Sequence, residues 1–254
     1  MRVLVTGAGG FLGQGLIIPF VGKHELRLID VADWQTPHEK IVGSVADLET
    51  CRKAVTGCDA VVIAHMASRQ AGSYETPTIP FDSNVKGTAN LFFAGVEAGI
   101  KKYVLISGEV VVYAYKTPPR RTLDLPLRSR SLYGLTKVCQ ETIAEQFQRE
   151  HNLQVAALRI GYILSADDPN HVVDKYGHQV KERNFADTDR RDIGLAARLA
   201  LELPDLKYEP FYILGTPEAD QVYEMAPSYE RLGWRPQYDF TWLPTPKEAA
   251  AKPA

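Results

Sequence analysis

The sequence predicts an α/β protein built on a doubly wound parallel sheet, and three observations carry that expectation. Short β-rich runs alternate with helix-length segments over residues 1–161. A glycine-rich turn joins the first run to the first helix. The run Ala60 to Ala64 is apolar throughout, as in a strand buried on both faces.

The elements follow in order. Arg2 to Thr6 reads as a strand, Phe11 to Val21 as a helix, Glu25 to Asp30 as a second strand and Lys40 to Gly43 as a short third. Asp47 to Thr56 reads as a helix with Asp47 as its N-cap, because a short carboxylate can accept the free N–H groups of a first turn. Pro80 to Gly99 carries helically spaced apolar residues at Val85, Ala89, Leu91, Phe92 and Val96. Tyr103 to Ser107 is another buried strand, Ser131 to His151 a long helix and Val155 to Ile160 the next strand. Beyond Gly161 the pattern weakens. Leu164 to Asp189 is polar and reads as irregular, followed by a helix from Ile193 to Leu203, a strand from Phe211 to Leu214 and a short helix from Ser228 to Leu232. The expected organisation is an α/β domain at 1–161, a small subdomain at 162–246 interleaved with the sheet, and a flexible tail at 247–254.

Composition narrows the function classes. The 254 residues include 29 Lys plus Arg and 31 Asp plus Glu, so there is no basic footprint of the kind a dedicated nucleic-acid binder shows. The apolar runs are too short to span a bilayer, and Val3-Leu4-Val5 follows the N-terminus directly, so a cytoplasmic protein with no membrane partner is expected. Cys51, Cys58 and Cys139 form no C-x-x-C pair and the histidines no metal-ligand spacing, so buried thiols and no metal are expected.

The sharpest motif is Thr6-Gly7-Ala8-Gly9-Gly10-Phe11-Leu12-Gly13, directly after the first strand. Glycine permits a tight turn and close approach of backbone N–H groups to a pyrophosphate at a helix N-terminus. Asp30 ends the second strand, where a carboxylate can accept bonds from both ribose hydroxyls and repel a 2′-phosphate, so NAD is expected over NADP. The bland alternatives are a structural turn for the glycines and a surface acid for Asp30. Tyr133 and Lys137 are four apart on a helix and share a face. A neighbouring ammonium favours the phenolate, so Tyr133 can serve as a base where it would otherwise be half of a surface pair.

The G-x-x-G-x-x-G spacing resembles the short-chain dehydrogenase/reductase superfamily, and more narrowly its extended branch, the NAD-dependent epimerase/dehydratase family. Asp47-Leu48 resembles a pair that touches adenine. Ala64-His65-Met66-Ala67 resembles a segment lying along the cofactor. Asn84-Val85-Lys86-Gly87-Thr88-Ala89-Asn90, Tyr133-Gly134-Leu135-Thr136-Lys137, Arg159-Ile160-Gly161, Arg191-Asp192-Ile193 and Leu232-Gly233-Trp234 match further landmarks. The resemblance implies a Rossmann-type fold and a cofactor site of Gly7, Gly9, Gly10, Phe11, Leu12, Gly13, Asp30, Asp47, Leu48, Ala64, His65, Met66, Asn84, Tyr133, Lys137 and Ile160. It also implies substrate contacts from Ser68, Arg69, Gln70, Glu109 and Tyr162, and a homodimer through the helices at Asp82–Gly99 and Leu132–His151.

One departure stands out. The family places a Ser or Thr just after the fifth strand, whereas the run here is Ile106-Ser107-Gly108-Glu109. Ser107 could serve after a small bulge, Glu109 could replace it as a donor or second acid/base, or the site could be weakened. Arg120, Arg121, Arg128 and Arg130 precede Tyr133 and could serve an anionic substrate, with a solvated loop the favoured reading. The leading expectation is an NAD-dependent oxidoreductase acting on a small sugar or sugar acid, uronate dehydrogenases being the compact members most alike. The stretch Tyr162-Ile163-Leu164-Ser165 lacks an evident Arg for a uronate carboxylate. The alternatives are a sugar (nucleotide) epimerase or dehydratase using NAD transiently, and a non-catalytic NAD-binding sensor or interaction protein.

Overall fold

The structure is a computed structural model that describes residues 1–68, 72–115 and 120–245. The main sheet takes strands β1 (Arg2–Thr6), β2 (Glu25–Asp30), β3 (Glu39–Val42), β4 (Ala60–Ile63), β5 (Lys102–Gly108), β6 (Gln154–Ile160) and β10 (Tyr208–Ile213). All seven are parallel, in the order β10-β6-β5-β4-β1-β2-β3. This is the Rossmann-type arrangement that the sequence predicts. Alternate residues of each central strand feed opposite cores. Val3, Val5, Val104 and Ile106 pack on the side of α1 (Phe11–Leu16) and α6 (Arg190–Glu202). Leu4, Tyr103 and Leu105 pack on the side of α2 (Leu48–Val55), α4 (Gly87–Glu97) and α5 (Leu132–His151). Strands covered on both faces must be apolar at every position, which is why they were legible as continuous runs.

Helix boundaries differ from expectation in two places. The helix expected over Phe11 to Val21 ends at Leu16 and gives way to a 3₁₀ turn, Ile18–Phe20, which contains Pro19. Proline has no N–H to continue the ladder. The helix expected from Pro80 begins instead as α3 (Thr78–Pro80), widens into a π-helix over Phe81–Lys86 and only then becomes α4. The widened turn carries Asn84, whose polar side chain is fully buried. By contrast, Asp47 caps α2 as expected, accepting Thr50 N–H at 3.0 Å, and Ser131 caps α5 through Gly134 N–H at 3.1 Å.

The segment read as irregular contains a second sheet. Strands β7 (Tyr162–Ser165), β8 (Val173–Asp174) and β9 (Asp187–Asp189) lie in the order β8-β7-β9. Asp187, Thr188 and Asp189 are all buried although none is apolar, so hydropathy patterning could not reveal β9. Past this sheet the chain returns through α6 and β10 to the main sheet. A short helix, α7 (Ala226–Glu230), follows. Asp192 on α6 accepts Gln237 and Tyr238 N–H groups at 2.9–3.0 Å, and Trp234 Nε1 donates to the Asp192 carbonyl, joining two of the sequence landmarks. The tail at 247–254 lies outside the described residues. Among the described residues, no helix is long and apolar enough to cross a membrane. Cys51 and Cys58 are buried thiols, and Cys139 is half-buried.

Candidate active site

From β1 the chain steps outward to β2 and β3, then returns to the other side of β1 as β4. The carboxyl ends of β1 and β4 thereby flank a crevice at the topological switch point, where doubly wound folds bind ligands. The glycine turn crosses it. Gly7 has φ +68°, and a Cβ there would stand 2.8 Å from His65 Cα, so only glycine lets β1 and β4 close up. A Cβ on Gly13 would meet the Gly7 carbonyl oxygen at 2.3 Å, so the first turn of α1 sits directly on the loop. The result is a cavity of about 520 Å³ lined by Gly7, Gly10, Phe11, Leu12, Gly13, Asp30, Ala64, His65, Met66 and Ser68, and across the cleft by Ile163, Lys175 and Tyr176. Gly9 does not line it. Its N–H donates to Asp30 Oδ2 at 3.0 Å, and Ala32 N–H donates to Oδ1 at 3.1 Å, which fixes the carboxylate at the edge of the loop. A glycine cradle at the switch point with an acid at the end of β2 fits an adenine dinucleotide.

Other residues expected at the cofactor support this cleft from behind. The His65 ring is buried, with Nδ1 2.9 Å from Thr6 Oγ1 and Nε2 3.1 Å from the Ser83 carbonyl. Burial, then the nearby Lys137 charge, push its pKa down to about 3, so the ring is a neutral strut between β1, β4 and the π-helix. Asn84 Oδ1 accepts Ala67 N–H at 2.6 Å and Nδ2 donates to Thr136 Oγ1 at 2.8 Å. Asn84 thus ties the loop after β4 to α5 without reaching the cleft. Asp47 and Leu48 do not line the 80 Å³ side pocket beside the main cavity, which is formed by Ile29, Gly43, Ser44, Val45 and neighbours. Ile160 ends β6 beside Gly108, with which it is in register.

Tyr133 lies on the first turn of α5 and lines a second cavity of about 570 Å³ with Gly72, Tyr74, Glu75, Val110, Tyr113, Ser131 and Tyr176. Tyr176 lines both cavities and stands between them. Lys137, one turn along, is 3% exposed. Its Nζ donates to the Ile106 carbonyl at 2.8 Å and stands 6.0 Å from the Tyr133 ring centroid. The predicted pair therefore shares one face at the end of β5.

The Ser or Thr question resolves by strand alternation. Ser107 points to the α5 side, where Oγ donates to Glu141 Oε1 at 2.5 Å. Glu141 also pairs with buried Arg159 at 3.0 Å and accepts the OH of half-buried Tyr208 at 3.1 Å. Ser107 Oγ is thus engaged with Glu141 on that side of the strand, away from the direct catalytic placement that the sequence suggested. Gly108 faces the site instead, since a Cβ there would lie 4.0 Å from Tyr133 Oη. Glu109 is buried behind the wall, where both Tyr113 OH and Tyr223 OH donate to its carboxylate. Desolvation raises its pKa against the pull of those bonds and of Arg121.

The substrate-side expectations fare unevenly. Ser68 lines the cofactor cavity. Arg69 and Gln70 lie outside the described residues. Tyr162 OH donates to Asp174 at 2.8 Å and lines neither cavity. The four arginines do not form one anion site. Arg121 lies over the Tyr113 and Tyr223 rings, Arg120 donates to the Tyr223 carbonyl, Arg128 lies over Tyr115 and Arg130 donates to the Ala114 carbonyl. Sequence reading missed Tyr74, Tyr113, Lys175 and Tyr176, which come from three loops with no motif of their own.

Fold and site together define a dinucleotide-dependent enzyme of the short-chain dehydrogenase type. The sequence profile of the NAD dependent epimerase/dehydratase family matches residues 3–196, and the chain belongs to that family. It is 30% identical over 192 residues to an NAD-dependent glucose-6-phosphate dehydrogenase of Haloferax volcanii, covering 66% of this chain and 70% of the relative. It is 25% identical over 251 residues to an L-arabinose 1-dehydrogenase (NAD(P)(+)) of the same organism, covering 93% and 96%. Among solved structures, a mutated uronate dehydrogenase superposes with a TM-score of 0.76 at 25% identity, covering 93% of this chain and 81% of that one. The protein is an NAD-dependent oxidoreductase or epimerase.

Proposed function

We propose that the protein oxidises a secondary alcohol or hemiacetal of a small sugar or sugar acid, with Tyr133 as acid/base. The observation that carries this reading is that Tyr133 lines a tyrosine-rich cavity sharing Tyr176 with the glycine-lined one, with buried Lys137 one turn away at 6.0 Å from its ring. Gly7, Gly10 and Gly13 would hold the pyrophosphate, Asp30 the adenine ribose and Lys137 the nicotinamide ribose. NAD supplies a hydride acceptor when bound. Tyr133 takes the hydroxyl proton as the substrate C–H pair departs, and the Lys137 charge stabilises the phenolate. The dehydrogenase relatives named above support a sugar substrate. Exposed Phe93 on α4 and Leu135 on α5 support a homodimer through those helices.

The test is NAD reduction with L-arabinose, D-glucose, D-galactose, D-glucuronate and D-galacturonate, repeated with Tyr133→Phe. Turnover by the wild type, lost in the variant while NADH still binds by fluorescence, is expected. Turnover that survives the substitution, or none with any sugar, would overturn the reading.

A further inference from the structure

The wall facing Tyr133 lacks the hydroxyl that the family's pattern supplies just after the fifth strand, because Gly108 and Glu109 stand there and Ser107 turns to Glu141. Four other hydroxyls line the cavity, on Tyr74, Tyr113, Ser131 and Tyr176. Ser131 Oγ is committed to capping α5. Tyr74 OH donates to the Ala67 carbonyl at 3.1 Å. Tyr176 is half-exposed, on the far wall shared with the cofactor cavity. Tyr113 differs from these. It follows Gly108 by five residues, directly after the 3₁₀ turn Glu109–Val112 that follows β5. Its hydroxyl is anchored by the Glu109 carboxyl group, which Tyr223 grips from the other side while Arg121 lies over both phenol rings. It is also close enough to Tyr133 that charge on one phenol disfavours charge on the other.

We propose that Tyr113 replaces the missing Ser or Thr as the second hydroxyl on the reacting substrate oxygen, with buried Glu109 as its positioning residue. The proposal rests on the reading of Tyr133 given above. In the oxidative direction the substrate O–H proton passes to the Tyr133 oxygen and the C–H pair leaves as hydride to the nicotinamide. Tyr113 keeps its proton throughout and contributes only a hydrogen bond to the oxygen as it becomes a carbonyl. Glu109 neither gains nor loses a proton in the step. In its neutral form it can donate to one phenol oxygen, which frees the Tyr113 O–H to turn toward substrate. A phenol reaches further than a serine hydroxyl, so glycine at 108 is the small neighbour that lets substrate oxygen sit between Tyr113 and Tyr133.

The test uses the full-length enzyme, NAD and the sugar panel above. Tyr113→Phe is expected to lower kcat about 10²-fold, the scale of one lost donor at a developing oxyanion, with NADH affinity unchanged. Glu109→Ala should cost a similar factor and add little in the double variant with Tyr113→Phe, since both act through one hydroxyl. Gly108→Ser is the decisive rescue. Gly108 has extended backbone, and a Cβ there meets only Val110 Cγ2, at 3.4 Å, and the more distant Ile160 carbonyl and Tyr133 hydroxyl oxygens, so serine fits. In the Tyr113→Phe background it should restore kcat about tenfold or more, which a merely structural role for Tyr113 would not allow. Wild-type kcat in Tyr113→Phe, or no rescue by Gly108→Ser in a variant that still binds NADH, would overturn the proposal. Those results differ from failure of the Tyr133 reading, which would show as turnover surviving Tyr133→Phe or as a wild type inactive on the whole panel.

Discussion

The two ends of the active-site cleft are built from different material. The cofactor end takes its shape from backbone at Gly7, Gly10 and Gly13, and Asp30 closes it from the tip of β2. The substrate end is made of side chains, with Tyr74, Tyr113, Tyr133 and Tyr176 arriving from separate segments. A backbone site demands particular residues at fixed spacing, because only glycine tolerates the turn and the close approach. A side-chain site can be assembled from any loops the fold brings together, and its residues carry no spacing rule. The cofactor end should therefore respond to substitution through affinity, and the substrate end through rate.

The largest expected effect lies at the substrate end. On the proposed mechanism Tyr133→Phe removes the proton acceptor and should lower kcat by about 10²–10⁴-fold, the range for a positioned acid/base. NADH affinity measured on the same sample should stay within about twofold, because the glycine cradle does not involve the phenol. A parallel loss of NADH affinity would break the division between the two ends.

Next is a pH effect seated in the small sheet beside the cleft. Asp187 is buried, its Oδ1 has no hydrogen-bond partner, and burial pushes its pKa up to about 7. Asp192 is pushed up to about 6 by the same cause. In the unfolded chain a carboxyl titrates near 4, so between about pH 4 and 7 the folded protein holds protons that the unfolded chain releases. Stability therefore falls as pH rises through that window. Thermal unfolding should show Tm several degrees lower at pH 7.5 than at pH 5.5, given about 2–4 °C per kcal/mol for a chain of this size. Asp187→Asn should remove most of that slope, and a slope unchanged in the variant would show that the carboxyl is neutralised in some other way.

At the cofactor end, Asp30→Ala should shift the ratio of NAD to NADP affinity by about tenfold, the worth of a charge-assisted hydrogen bond. Gly9 N–H loses its acceptor but lies at a part-exposed position where water can replace it, so the fold should hold. Calorimetric titration with each dinucleotide measures this, and equal affinities in the wild type would refute the role assigned to Asp30.

How much of this was legible follows from the same contrast. The six strands from Arg2 to Ile160, the glycine turn, Asp30 and the Tyr133–Lys137 pair were readable because each obeys a local rule of period, spacing or apolar continuity. The π-helical turn at Asn84 was not, because its cause is a tertiary network joining Ala67 and Thr136. Strand β9 was not, because its buried residues are polar, and contacts that hold them, such as Thr188 Oγ1 with the Ile213 carbonyl, are distant in sequence. The choice between Ser107 and its neighbours was not, because a shift of one residue along a strand reverses the face.

That last ambiguity yields the smallest effect and the most pointed one. If the pleat is as described, Ser107 serves only the Glu141–Arg159 network, where it donates one of several bonds to Glu141. Ser107→Ala leaves Glu141 still held by Arg159 and Tyr208, so the loss should be about 0.5–1.5 kcal/mol, one hydrogen bond's net worth. Denaturant unfolding measures that cost, and kcat on the active sugar should stay near wild type. A kcat loss of 10²-fold from Ser107→Ala would mean that the serine faces substrate. The strand would then have to carry a bulge at its end, and Gly108 could no longer be the residue opposite Tyr133. The same pair of measurements thus fixes the register at the end of β5, on which the assignment of every hydroxyl at the substrate end depends.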